Sequence, residues 1–171
     1  MDLNSIISAI TGNNMIGEIA KKFNIDTNKI MDVIKAAIPK ILSAMQKNAG
    51  TAAGAAALTQ ALGNHAGQAF GLDIEDGKKI LSKIFGGNLG SVISSLGKQT
   101  NTSNDQVTNI LSSIAPNLLN VLGQGNGGGN VVDLLGNLLG GIAGGGSNGS
   151  SGSSVGKVLG GLFGNLFGKK K

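Results

Sequence analysis

Apolar residues recur along this chain at helical spacing. Positions 30, 33, 34, 37, 38, 41, 42 and 45 form one greasy face behind a cap at Asp26 or Thr27. Positions 107, 110, 111, 114, 118, 119 and 122 repeat the rule behind a cap at Asn104 or Asp105. Between these stripes, TAAGAAALTQAL predicts an Ala-rich helix from about Thr51 to Leu62, closed by Gly63, whose small side chains let neighbours approach closely. LDIEDGKKILSKIFGG then predicts a loop, a helix start between Asp73 and Asp76, and a helix with Ile80, Leu81, Ile84 and Phe85 on one side. The expected fold class is all-α, a compact bundle of about six helices in residues 1–122.

The two stripes match each other. NIDTNKIMDVIKAAIPKILSAM (24–45) aligns without a gap on NTSNDQVTNILSSIAPNLLNVL (101–122). Pro39 falls on Pro116, Ile30 on Val107, Val33 on Ile110, Ile34 on Leu111, Leu42 on Leu119 and Met45 on Leu122. Upstream, Ile16, Ile19 and Lys21 fall on Ile93, Leu96 and Lys98. A proline shared inside one periodic pattern favours a duplicated helical unit, about residues 1–50 and 78–122, with the Ala-rich helix 51–63 between. A mid-helix proline removes a backbone hydrogen bond and crowds the preceding turn, at about 3 kcal/mol if nothing compensates. Pro39 and Pro116 are therefore expected to kink or restart their helices, freeing carbonyls near Lys35 and Ser112. Such carbonyls can serve a ligand or ion, but a kink that wraps the helix around its partner accounts for them without one.

The order AAIPKIL, GAAALTQALGNH, DGKKILSKIFGG, SIAPNLL resembles the bacterial family catalogued as domain of unknown function 937, also called YidB-like, over roughly Leu3 to Leu122. A Gly/Leu-rich tail is similar to what members carry. The resemblance implies an all-helical fold in a bacterial protein with no established activity, and it supplies no catalytic or binding residues.

Glycine marks the tail: residues 1–122 hold 12 and residues 123–171 hold 18, which places a boundary near Gly123. Two tail segments, 131–142 and 155–168, keep the helical rule. The first carries Val131, Leu134, Leu135, Leu138, Leu139 and Ile142; the second carries Val155, Val158, Leu159, Leu162, Phe163, Leu166 and Phe167. Interior glycines cost each roughly 0.5–1 kcal/mol relative to alanine, so these segments should form helices when the apolar face finds a surface. Between them, GGGSNGSSGSS reads as a flexible linker. The surface is expected to be the protein's own bundle or another copy. The alternatives are an anionic lipid interface, favoured by Lys157 with Lys169, Lys170 and Lys171, and a distinct protein partner or no ordered surface at all.

Composition narrows the chemistry. With 3% aromatics and no Trp or Tyr, the core must be aliphatic, which suits helix packing better than a β-sandwich. There is no Cys, hence neither disulfide nor thiolate. All 14 basic residues are Lys, and the net charge of +5 is split +2 and +3 between residues 1–122 and the tail. Neither the Arg/Lys concentration nor the aromatics of a nucleic-acid surface are present. The N-terminus lacks a basic region ahead of an apolar run, and no stretch approaches the roughly 18 apolar residues of a membrane span, so the expected address is the cytoplasm, with membrane association as the alternative.

No enzyme signature survives inspection. His65 is the only histidine, without a second His or a Cys to complete a metal site, and a place after a helix end suits capping carbonyls or facing water. Gly145 to Gly149 spells G-x-S-x-G only because Gly and Ser abound there. Asp73, Glu75, Asp76 and Gly77 miss calcium-loop spacing, and Gly77-Lys78 lacks the earlier glycine of a phosphate loop. These acids are expected to favour the start of the following helix. The expected function is a non-catalytic interaction or self-assembly module, with no cofactor, metal or small-molecule substrate and no nucleic-acid partner. Interaction residues are expected at Val155, Val158, Leu159, Leu162, Phe163, Leu166, Phe167 and Lys169 to Lys171, with structural kinks at Pro39 and Pro116.

Overall fold

The computed structural model describes residues 2–12, 14–126 and 129–143. These form helices α1 (Leu3–Thr11), α2 (Met15–Phe23), α3 (Thr27–Ala49), α4 (Ala52–His65), α5 (Ile74–Phe85), α6 (Leu89–Thr100), α7 (Asn104–Asn126) and α8 (Val131–Ala143), with a 3-10 turn at Gly86–Asn88. Short polar side chains cap most of them, though not α2 or α6. Asp2 accepts from the Ser5 N–H at 2.7 Å, Asp26 from Asn28 at 2.8 Å, Thr51 from Gly54 at 3.0 Å and Asp73 from Asp76 at 2.9 Å. The cap of α7 is Ser103, just ahead of the expected Asn104 or Asp105. Its hydroxyl accepts from the Gln106 N–H while Gln106 Oε1 accepts from the Ser103 N–H, a reciprocal box that neither expected residue could close.

The long helices α3 and α7 keep the register of the sequence match at both ends: Thr27 corresponds to Asn104 and Ala49 to Asn126. The turns leading into them match as well. Asn24 and Asn101 both adopt the left-handed conformation (φ 52° each), which asparagine tolerates better than other side chains bearing a Cβ. Their N–H groups, and those of Ile25 and Thr102, return to the carbonyls of Ala20 and Gly97.

Together α3 and α7 carry the core. On α3 the expected stripe is buried in full, from Ile30 to Met45. By contrast α7 lacks a solvent face over most of its length: from Ile110 to Leu122 every residue is buried except half-buried Pro116. It packs on α1, α2, α3, α4, α5 and α6, which contribute Ile6, Ile10, Ile19, Leu62, Leu81 and Leu96 among others. The composition change at Gly123 does not break the fold. Helix α7 runs through it, and α8 lays Val131, Leu135 and Leu138 into the same core, mainly against α3.

Two local expectations are corrected. First, Gly63 does not close α4, which continues to His65, where the Ala66 N–H returns to the Leu62 carbonyl and the His65 ring makes the contacts described below. Second, of the kink or restart expected at each proline, the restart does not occur; α3 and α7 run unbroken through Pro39 and Pro116. Proline at 116 leaves the Ser112 carbonyl without its usual donor four residues on. The backbone of Gly77 on α5 presses directly against that carbonyl, and a Cβ at position 77 would overlap its oxygen and lie 2.8 Å from Ser112 Cα. A Cα–H contact to the carbonyl is what such an approach allows. Nearby, the Ser112 hydroxyl is wholly buried and has no hydrogen-bond partner among the described residues. In α3 the matching residue, Lys35, is exposed.

Candidate interaction groove between α4 and α5

The segment joining α4 to α5 is held from below by two buried asparagines of α7. Asn117 pairs with the backbone of Gly71 in both directions, its Oδ1 accepting from the N–H at 3.2 Å and its Nδ2 donating to the carbonyl at 2.8 Å. Asn120 accepts from the Gly67 N–H at 2.9 Å and donates to the Gln68 carbonyl at 2.6 Å. Spaced three apart, the two amides share one face of α7. They satisfy backbone groups that no helix or sheet would otherwise pair.

At the end of α4, His65 joins the two helices. Its Nδ1 lies 2.7 Å from the Ala61 carbonyl and its Nε2 lies 2.8 Å from Asp76 Oδ2. The capping role expected of His65 is present, and the bond to Asp76 adds a tie across to α5. At the opposite end, the Asn48 side chain of α3 donates to the Ile84 carbonyl of α5 at 2.7 Å, beside the start of α4.

Both α4 and α5 rest on α3 and α7. Between them runs a groove of about 500 Å³. Its floor and walls are apolar: Leu58 and Ala61 from α4, Ile80 and Ile84 from α5, and Leu119 from α7. Its rim is polar, with Gln60 and Asn64 on one side and Lys79 and Lys83 on the other. From Asp76 to Ile84 the groove spans eight helical steps, about 12 Å at 1.5 Å per residue. Around the corner, a second hollow of about 540 Å³ lies between Lys22, the 68–73 segment, the first turn of α5 and Pro116. The acids expected to start α5 line it, and Asp73 does cap that helix. Among the described residues no three His, Asp or Glu side chains gather as metal ligands would. No helix among them is long and apolar enough to cross a membrane.

Of the site residues expected from sequence, Pro39 is half-buried in α3 and Pro116 lines the second hollow. Val155, Val158, Leu159, Leu162, Phe163, Leu166, Phe167 and Lys169 to Lys171 lie outside the described residues. Segment 131–142 coincides with α8. Missed from sequence were Gly77, Asn117 and Asn120. The asparagines left a trace, as two amides that interrupt the apolar run of α7 on a single side.

A family model described as "Bacterial protein of unknown function (DUF937)" matches residues 4–125. Neither the curated proteins nor the solved structures contain a match to this chain.

Proposed function

Starting from the fact that this chain belongs to that bacterial family of unknown function, we propose that it is a non-catalytic protein-interaction or self-assembly module whose contact surface is the α4–α5 groove. One observation carries the reading. The groove has an apolar floor, a polar rim and a tie at each end, so it offers a fixed slot in which an apolar stripe can be desolvated. The matched bounds of α3 and α7, and the paired asparagine turns before them, support reading residues 1–50 and 78–122 as copies of one unit. The working location is the cytoplasm, the partner being another protein or a second copy.

Light scattering on the full-length chain tests this. Wild type should gain mass with concentration, and Ala57→Glu, which places a charge on the exposed α4 wall of the groove, should suppress the gain. Identical mass curves for the two proteins would remove the groove as a contact surface.

A second reading rests on the Lys-ended pattern from Val155 to Lys171, which suits an anionic lipid surface. Flotation with anionic vesicles distinguishes it. Binding should fall with salt and with Phe163→Ala/Phe167→Ala, and binding insensitive to both would dismiss it.

A further inference from the structure

We infer that the α4–α5 groove is the docking site for the chain's own C-terminal segment, Val158–Phe167, with the lysines that follow it seated at the acidic end of α5. This rests on the groove reading above for the slot itself and names its occupant in the isolated chain, which a protein partner or second copy would have to displace.

The chain is long enough to reach. The described residues end at Ala143, and the sequence continues to Lys171. Residues 144–154, GGGSNGSSGSS, have the composition of a Gly/Ser linker. A Gly/Ser chain of that length has an r.m.s. span of about 18 Å. Helix α8 already touches α4, and α4 is one wall of the groove. Wherever along α8 that contact falls, Ala143 lies within about the length of α8, roughly 20 Å, and one helix width, about 10 Å, of the slot, less than the roughly 36 Å that eleven extended residues can reach. The tether spans that distance without strain and holds the segment near the slot at an effective concentration on the order of millimolar, which a free partner would have to match.

The segment also fits in length and shape. The groove is about 12 Å long between its two ties. Val158, Leu159, Leu162, Phe163, Leu166 and Phe167 stand at i, i+1, i+4, i+5, i+8 and i+9. At helical rise these span about 13.5 Å and share one face. That face matches a floor made of aliphatic side chains. The segment contains two of the chain's five phenylalanines, the kind of bulky anchor that fills such a slot.

Charge sets the direction. Asp73, Glu75 and Asp76 stand at the start of α5, whereas Lys79 and Lys83 stand further along it. The segment has the opposite polarity of charge density: one lysine, Lys157, ahead of it and three, Lys169 to Lys171, behind. Laid antiparallel to α5, it brings the three lysines to the acids and leaves a single lysine near Lys83. Glu75 is free to respond, being largely exposed and paired only loosely with Lys78 at 3.5 Å.

Because the chain has no cysteine, a pair can be introduced cleanly to read occupancy. In the full-length chain, Ala57→Cys with Leu162→Cys tests the groove, and Ser8→Cys, at an exposed position of α1, with Leu162→Cys is the control. Each pair is equilibrated in glutathione buffers at low protein concentration, and the intrachain disulfide is quantified by mass spectrometry. The groove pair should form at a reduced-to-oxidised glutathione ratio at least about tenfold higher than the control, the advantage a docked segment has over a merely tethered one. Adding Phe163→Asp and Phe167→Asp should bring the groove pair back to the control ratio.

Equal ratios for the two pairs overturn the inference, as does a groove pair unaffected by the aspartates. Interchain disulfides that outnumber intrachain ones on dilution also overturn it and make a second copy the occupant. The proposed function fails separately. If Ala57→Glu leaves self-association unchanged while the intrachain disulfide forms, the segment fills a groove that serves no partner. If the disulfide fails while Ala57→Glu abolishes association, the groove serves a partner other than this segment.

Discussion

Alanine at position 77 pits two opposing effects against each other. Gly77 lies inside α5, and in an unencumbered helix the change to alanine would stabilise by about 0.5–1 kcal/mol. Here the added Cβ would overlap the Ser112 carbonyl oxygen and lie 2.8 Å from Ser112 Cα. Carbon atoms rest about 3.5–4.0 Å apart, so α5 must retreat from α7 by roughly 1 Å. Backbone cannot rotate aside as a side chain would, and α5 carries Ile80, Leu81 and Phe85 into the core. Overpacking costs about 1–3 kcal/mol, and an overlap with backbone belongs in the upper part of that range, so after the propensity gain Gly77→Ala should lose about 1–2 kcal/mol.

Gly63 supplies the control. It also lies within a helix, is exposed, and has no atom within 4 Å of a built Cβ, so Gly63→Ala should gain about 0.5–1 kcal/mol. The assay is urea unfolding followed by far-ultraviolet circular dichroism, since the chain has no Trp or Tyr to report by fluorescence. With an m-value of about 2 kcal/mol/M, the Gly77→Ala midpoint should fall by about 0.5–1 M while the Gly63→Ala midpoint rises. Midpoints that move in the same direction, or a Gly77→Ala protein at least as stable as wild type, would refute the close α5–α7 approach.

Three further outcomes follow from the same geometry. Asn117→Ala and Asn120→Ala each strand backbone groups of the 66–73 segment and should cost about 1–3 kcal/mol, with hydrogen exchange at Gly71 and Gly67 accelerating respectively; unchanged exchange would break the assignment. His65→Ala and Asp76→Asn should be non-additive, a double-mutant cycle giving a coupling of at least about 0.5 kcal/mol, and strict additivity would mean the tie across the groove is absent. The Asp2 carboxyl is held below its ordinary value chiefly by the Ser5 N–H it accepts, with further lowering from the Ser5 side chain and the amino terminus. A depressed carboxylate helps the fold above the unfolded value of 3.8 and loses that help as pH falls through the lower folded value. The Ser5 amide shift should therefore titrate below pH 3.8, and Asp2→Asn should abolish the titration; a midpoint at or above 3.8 would contradict the cap.

How much was legible in the sequence depended on whether a residue's surroundings were local. The stripe of α3 was readable because its other side does face water, so period and burial agree. On α7 the same period misleads. Ser112, Ser113, Asn117 and Asn120 look like a solvent face, yet they are covered because α4, α5 and the segment between them close over that side. The end of α4 was misread at Gly63 since glycine is a common terminator, and nothing in the local pattern announces that His65 will bond both Ala61 and Asp76. The role of Gly77 was invisible because it depends on a crossing with α7, a helix that begins only at Asn104. The groove was invisible for the same reason: it is made by two helices sharing supports, not by any motif of their own. The residues expected to make contacts fall beyond Ala143.

A helix enclosed on every side cannot be stable ahead of its neighbours. Part of what encloses α7 comes before the 66–73 segment and part after it, so neither portion of the chain owns a complete interior. Nicking the backbone in that stretch should leave two fragments that stay associated, because separation would wet Ile110 to Leu122 at once. The bundle should thus melt as a single cooperative unit, and any stepwise loss of structure would have to begin at its rim.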